Sequence, residues 1–427
     1  MLVTVEDPLR YSRAVTTSAQ PPGASASPLP LPIPRRFVFL IAAMGSLGPF
    51  AIDTYLPALP AIGRDLGATP LQVQQTLSVY LLAFASMTLW HGALSDALGR
   101  RRVLLVTFAV FSLASLAAAF SASIEALWIW RAVQGAVGGA GIAISRAVAR
   151  DVAHGADAQR LMSQSQIVFA LAPAIAPVIG GAIEHWLGWR AIFGFLALMS
   201  AVLWVAIYRS LPETLPVARR QSLHPVALAR GYVSIFRQWA FWRLAGALTA
   251  HFQAFFIYVM AAPMFLITHL GLASTQFHWL FLPLTIGTST GALLASRLAG
   301  RLSLARSIRL GQALMAVAVL ANLAAAWLVP GRLPWAVLPI GLYTMGLAVA
   351  MSSLQVMVSD LSPERRGMVS SCQGFVQSTA NSVAAGLVVP MIWGSQAGLA
   401  LGSAALMSLG GLLLLLERRF RPLAAVR

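Results

Sequence analysis

The chain has 427 residues, 58% hydrophobic and only 10% charged, with a mean hydropathy of +0.76, far from the one-quarter charge of an ordinary soluble domain. Its 30 basic and 13 acidic side chains are too few to coat a soluble core of this size, whereas a polytopic membrane protein needs charge only at its loops. All 30 basic residues are arginine, a composition bias; in a membrane protein the net charge of +17 marks the cytoplasmic side rather than nucleic-acid binding, and the lone Cys372 excludes an intrachain disulfide.

Residues 1–36 hold Pro, Ser, Ala and four arginines (Arg10, Arg13, Arg35, Arg36) without periodicity and are expected to form a disordered cytoplasmic tail. No apolar run follows the start closely enough for a cleaved signal peptide. From Phe37 onward twelve apolar runs appear, centred near Ala43, Leu82, Ser112, Gly138, Ala172, Leu198, Phe255, Leu284, Val317, Gly341, Thr379 and Ser408. Each is long enough for the roughly 20 residues that a bilayer core demands, so the predicted fold is an all-α polytopic membrane protein with 12 transmembrane helices. On these spans 26 arginines fall on the cytoplasmic side, three outside (Arg64, Arg190, Arg332) and one, Arg131, within the membrane. Both termini are therefore expected to be cytoplasmic.

Span one, "GSLGPFAIDTYLPALPAI", carries a lone acid, Asp53, in an apolar setting. It lies roughly 25 Å along a helix rising from the inner face, while Arg131 lies roughly 10 Å down span four from the outer face. An acid and a base at matched depth can pair, which makes each cheaper to hold in the membrane. The carboxylate either couples protons to transport or ties a helix end broken by Pro57.

After span two comes "GALSDALGRRR". Its glycines permit a tight turn, and Asp96 and Arg100 sit at a membrane edge where an acid needs partners. Gly92, Leu94, Asp96, Gly99, Arg100 and Arg101 stand as in the loop between helices two and three of the major facilitator superfamily, which the stretch resembles. That resemblance implies a conformational latch at the cytoplasmic gate, with Asp151 at the end of span four as a third member; the alternative is an ion-pair cluster that only sets topology. In span four, "RAVQGAVGGAG" resembles the superfamily's Arg followed by Gln-Gly through Arg131, Gln134, Gly135 and Gly138. In span five, "LAPAIAPVIGG" resembles its antiporter motif through Pro177, Gly180 and Gly181, although Ala172 and Ala176 replace the usual glycines; a purely structural kink is the other reading.

The polar stretch 209–238 divides the chain, giving an expected N-terminal six-helix bundle at 37–210, a cytoplasmic linker at 211–238, a C-terminal bundle at 239–417 and a tail at 418–427. Gly99-Arg100 is echoed by Gly300-Arg301, and "DAQRLMSQS" by "PERRGMVSS", as expected of two repeated halves. Spans three, six, nine and twelve have no charge in their interiors and are expected to face lipid or support the others. Asp53, Arg131 and His251 place ionisable groups on spans one, four and seven, which are expected to line a central cavity. His251 either titrates or only donates a hydrogen bond. On span eleven Gln373, Gln377 and Asn381 recur every four residues and share one face, directed either at the cavity or at neighbouring helices. Phe50, Tyr80, Phe252, Phe256 and Tyr343 are candidates to contact an amphipathic ligand, or else pack the interior.

With "IDTYLPALP" in span one, these motifs resemble the drug-proton antiporters of the bicyclomycin and chloramphenicol resistance (Bcr/CflA) type over residues 37–417. The resemblance implies a monomeric secondary exporter in the cell inner membrane, with a small amphipathic or lipophilic substrate, protons and the lipid bilayer as its partners. The proton affinity of a buried carboxylate depends on its access to water and its distance from a cation, so alternation between conformations would couple Asp53 protonation to transport. A proton-coupled or facilitative metabolite importer is the alternative, since fold alone does not set direction. No Cys/His cluster, Ser-His-Asp arrangement, HExxH or phosphate-cradling Gly-x4-Gly-Lys-Ser/Thr is present, so no enzyme activity, cofactor, metal or ATP drive is expected.

Overall fold

A computed structural model of the chain describes residues 35–153, 155–221 and 223–420. The tail expected at 1–36 lies outside these residues except for Arg35 and Arg36, which already open the first helix, and residues 421–427 lie outside as well.

The helices follow the apolar runs. Span 1 comprises α1 (Arg35–Asp53) and α2 (Leu59–Asp65); span 2 is α3 (Pro70–Leu98) and span 3 is α4 (Arg100–Ala119). Span 4 joins α5 (Ile124–Gly138) to α6 (Ala140–Val152), and spans 5 and 6 are α7 (Gly155–Leu187) and α8 (Trp189–Ser210). Between spans 6 and 7, α9 (Pro225–Phe236) forms a short apolar helix. Span 7 is α10 (Trp239–Met260) followed by a π-helical turn at Pro263–His269, bent from it by 48°. Spans 8, 9 and 10 are α11 (His278–Leu298), α12 (Leu304–Leu328) and α13 (Leu338–Ser359). Span 11 comprises α14 (Arg366–Val383), a π-helical turn and α15 (Val389–Ile392), and span 12 is α16 (Gln396–Phe420). Ten segments are long and apolar enough to cross a bilayer, the bent pair makes an eleventh, and the 33 residues of α7 reach roughly 50 Å, enough for a twelfth.

Local sequence sets where these helices begin. The Thr69 hydroxyl accepts from the Gln72 N–H at 3.3 Å while the Gln72 side chain accepts from the Thr69 N–H at 2.9 Å, with Pro70 opening the first turn. The Ser123 and Ser303 hydroxyls cap α5 and α12. Gly99, at φ +97°, takes the turn from α3 to α4 that a side chain would strain.

The twelve spans pack as two six-helix halves of the same plan. Span 2 packs on span 4 as span 8 packs on span 10, and span 3 packs on span 6 as span 9 packs on span 12. The halves meet where α3 runs along α14 and where α7 meets α11. Leu113, Leu116, Leu198, Leu320, Trp327, Leu328, Leu412 and Leu415 are exposed on spans 3, 6, 9 and 12, an apolar coat that only lipid stabilises. These are the four spans without interior charge.

Candidate functional site

Span 1 breaks directly after Asp53. Pro57 lacks the N–H that would bond the Asp53 carbonyl, so α1 stops and the chain turns through Thr54 and Tyr55 before a short 3₁₀ turn at Leu56–Ala58. The Thr54 hydroxyl donates to the Phe50 carbonyl at 2.6 Å and closes the last turn. The Asp53 side chain, buried at 6% exposure, makes no ion pair or hydrogen bond to another described residue.

Arg131 is wholly buried and is not paired with Asp53, contrary to the expected contact. Its guanidinium lies between the rings of Tyr55 and Tyr80, 4.6 and 4.3 Å from their centroids. Nη1 donates to Gln134 Oε1 at 3.0 Å and to the Ala51 carbonyl at 3.4 Å. A planar, weakly hydrated cation stacks on aromatic faces when desolvated, which is how the site holds a charge without a carboxylate. Nε and Nη2 have no hydrogen-bond partner among the described residues, so two buried donors stay open. Gln134 passes the chain on, its Nε2 donating to Ser115 Oγ at 2.7 Å. The Tyr80 hydroxyl donates to the Gly48 carbonyl at 3.0 Å, so Tyr80 holds Arg131 in place and packs the interior. Gly135 and Gly138 permit this fit, because a side chain on Gly135 would strike the Tyr80 backbone and one on Gly138 the Tyr80 hydroxyl.

Where span 2 ends and span 3 begins, the structure brings Asp96, Arg100 and Asp151 together. Arg100 is ion-paired with Asp96, and its Nε lies 3.2 Å from Asp151 Oδ2. Two unforeseen groups complete the cluster. Thr214 donates to Asp151 at 3.0 Å, and the Glu213 carboxylate accepts from the backbone N–H groups of Arg100, at 2.9 Å, and Arg101, at 3.3 Å, a favourable place for an anion at a helix N-terminus. Glu213 is the only acid in the stretch 209–238, and that isolation was a signal. Arg101 turns away, donating to the Tyr208 carbonyl at 2.7 Å. Gly92 serves no close approach, since a side chain there would meet nothing within 4 Å, so of the two loop glycines only Gly99 is needed for the turn. Among the described residues the polar partners in this cluster come from the N-terminal half and the linker, whose Gln221 N–H donates to the Asp96 carbonyl at 3.1 Å. The link toward the other half is α9, whose Tyr232 hydroxyl donates to the Leu89 carbonyl of α3 at 2.6 Å while Gly231 lies under Met368 of α14. Burial pushes the Tyr232 phenol up to about 12, so it remains a donor at physiological pH.

At the opposite end from that cluster, Pro177 is buried in α7 and the two glycines that follow touch different halves. A side chain on Gly180 would strike the Thr54 carbonyl, next to Asp53, and one on Gly181 the Ser274 carbonyl in the turn before α11. A seam of hydrogen bonds joins α3 to the C-terminal half here. Ser78 Oγ donates to the Ser382 carbonyl at 2.9 Å, Ser382 Oγ to the Ser78 carbonyl at 2.8 Å, and Gln75 Nε2 to the Gly386 carbonyl at 3.0 Å. These bonds join the two halves at this end.

In the C-terminal half His251 does not face a central cavity. Its Nδ1 donates to the Ala247 carbonyl at 2.6 Å and its ring covers Gly410 of α16, because the missing side chain at Gly410 leaves the space that the imidazole fills. Tyr343 is an interior residue too, its hydroxyl donating to the His251 carbonyl at 3.0 Å. Phe252 and Phe256 remain half-buried with ring centroids 5.1 Å apart, and Phe50 lies half-buried beside Phe195. Gln373 donates to Gln377 at 2.8 Å, and Asn381, one turn on, keeps an unpartnered Oδ1.

The sequence profile described as the Major Facilitator Superfamily matches residues 39–385. An uncharacterized MFS-type transporter, YdgK, of Bacillus subtilis strain 168 is 30% identical over 82% of this chain and 87% of its own length. A bicyclomycin resistance protein homolog of Haemophilus influenzae is 28% identical over 83% of this chain and 89% of its own. Among solved structures, a D-xylose-proton symporter superposes with a TM-score of 0.70 at 18% identity, over 90% of this chain and 98% of that one.

Proposed function

The chain belongs to the Major Facilitator Superfamily, and on that footing we propose that it is a secondary active exporter of small, partly apolar compounds, exchanging them for protons by alternating access. The observation that carries this reading is Asp53, a lone buried carboxylate at the break in span 1, packed beside the antiporter-like Gly180 and within the same layer as the unsatisfied Arg131 donors. In the outward-closed arrangement described here the Asp53 carboxylate and the Arg131 guanidinium are apart. A rearrangement that moves Arg131 off its two tyrosines brings a cation to the carboxylate and favours loss of the proton, which links protonation to conformation. Asp96, Arg100 and Asp151 then hold the cytoplasmic ends of spans 2, 3 and 4 in register, whatever the state of the cavity.

A symporter shares this fold, so the fold does not set direction. The resistance-protein relative and the span-five motif favour export over metabolite import. The same reading places the protein in the cell inner membrane as a monomer, with both termini cytoplasmic.

The test is proton movement in inverted vesicles under an imposed pH gradient, with a panel of antibiotics and dyes added to wild type and to Asp53→Asn. Wild type is expected to dissipate the gradient with at least one compound and Asp53→Asn with none. Equal responses from both proteins to a compound that is demonstrably transported would make the carboxylate structural and overturn its proton role.

A further inference from the structure

The turn joining spans 8 and 9 repeats the turn joining spans 2 and 3 with its charges changed. Gly300-Arg301 follows Gly99-Arg100 by 201 positions, and at that offset Arg297 stands where Asp96 does. In the first half Arg100 meets Asp96 and Asp151, and Glu213 receives the N–H groups that open α4. Among the described residues nothing comparable reaches the second turn. Arg297, Arg301, Arg306 and Arg309 are all exposed there, and none of them is in an ion pair. Of the three acids beyond residue 238, Asp360 pairs with Arg366, Glu417 pairs with Arg243, and Glu364 is exposed and pairs with none of the four arginines. α12 opens on the Ser303 cap with no acid in its first turn, so the positive end of the helix adds to the excess of cations.

The direction in which these arginines point follows from the helix period. Arg306, Arg309, Leu310, Val317 and Leu320 lie within roughly 60° of one line along α12, and all five are exposed. Leu320 belongs to the apolar coat of span 9, so Arg306 and Arg309 end its lipid-facing row rather than look toward the other half. On α11 Arg297 ends a similar row, one turn beyond the exposed Leu293. Cations that close such a row stand at the depth of the lipid headgroups, with their aliphatic stems along the apolar surface. The anion present at that depth is a phosphodiester, and the guanidinium fork matches its oxygens.

We propose that this turn binds the phosphate of an anionic phospholipid, held by Arg306 and Arg309 of α12 and Arg297 of α11. The bilayer then supplies to spans 8 and 9 the negative charge that Asp96, Asp151 and Glu213 supply to spans 2 and 3. The site lies on the lipid-facing side and does not rest on the exporter reading.

The test is native mass spectrometry of the full chain, released from detergent that holds equal amounts of phosphatidylglycerol and phosphatidylcholine. Wild type is expected to retain phosphatidylglycerol in preference. Arg306→Gln/Arg309→Gln is expected to weaken that binding about 10-fold or more, with phosphatidylcholine binding unchanged. Arg306→Lys/Arg309→Lys, which keeps the charge and loses the fork, should fall between the two. Arg230→Gln/Arg237→Gln removes two exposed arginines at α9 and should bind as wild type does. Equal affinity of wild type for the two lipids overturns the proposal, and so does an unchanged phosphatidylglycerol affinity in Arg306→Gln/Arg309→Gln. An equal loss in the α9 variant also overturns it, because net charge alone would then be the attraction. Displacement of phosphatidylglycerol by millimolar inorganic phosphate overturns it as well, since the turn would then be a site for the soluble anion.

Discussion

Replacing Ser78 and Ser382 together by alanine is expected to open the outer side. Each hydroxyl donates across the seam to the other residue's carbonyl, at 2.9 and 2.8 Å, and the double substitution removes both bonds. The carbonyls left behind belong to helices α3 and α14, and alanine adds no volume at half-buried Ser78 or at buried Ser382, so the halves themselves remain folded. A net hydrogen bond is worth about 1 kcal/mol, so the closed arrangement loses about 2 kcal/mol, close to a 30-fold change in the ratio of closed to open molecules. Among the described residues, Gln75 to Gly386 and Gln74 to Met260 are then the side-chain hydrogen bonds left across the seam. The assay is the distance between spin labels on the exposed outer residues Glu125 and Arg332, introduced as Glu125→Cys and Arg332→Cys in a Cys372→Ser background. A longer-distance population should grow in the double variant. A distribution identical to that of the parent would refute the reasoning, because it would mean that the serine bonds do not hold the halves together.

The glycines separate into two kinds. Gly181→Ala places a carbon against the Ser274 backbone, which cannot give cheaply, and should lengthen the same spin-label distance, whereas Gly92→Ala, with nothing within 4 Å, should transport as wild type does; loss of transport in Gly92→Ala would contradict the geometry of the latch loop. Glu213→Gln weakens the charge-assisted bonds to the start of α4 and is expected to cost about 1–3 kcal/mol, read as a lower thermal midpoint in detergent. An unchanged midpoint would show that this carboxylate contributes nothing to the loop.

The membrane fold was legible because the bilayer demands apolar length, and twelve such lengths with arginine on one side leave few alternatives. Asp53 and Arg131 were legible for the same reason, each being a charge where apolar residues surround it. Their partners were not. Pattern and depth placed acid and base together, but the cation found two tyrosine rings, and a tyrosine in an apolar run carries no mark that separates a stacking partner from packing. The direction of His251 depends on Gly410, a residue 159 positions away with no signal of its own. Glu213, by contrast, was the lone acid in a basic linker, and an acid in such a setting should be asked which N–H groups it serves.

On the exporter reading, span 5 connects the proton site to the outer gate by a short route. Gly180 and Gly181 are adjacent on one helix, the first without a side chain because the Thr54 carbonyl beside Asp53 occupies its space, the second because the Ser274 carbonyl of the other half does. Neither contact can loosen alone without displacing α7, since helices shift as rigid units. A change at the span-1 break, where the carboxylate gains or loses its proton, therefore alters the fit of α7 against α1, and the same displacement alters its fit against the turn before α11. Coupling of this kind is reciprocal. Closing the outer seam must change the proton affinity of Asp53 by the same free energy with which protonation of Asp53 changes the closing of the seam, so Ser78→Ala/Ser382→Ala, far from the carboxylate in sequence, should also move the pH at which transport is half-maximal.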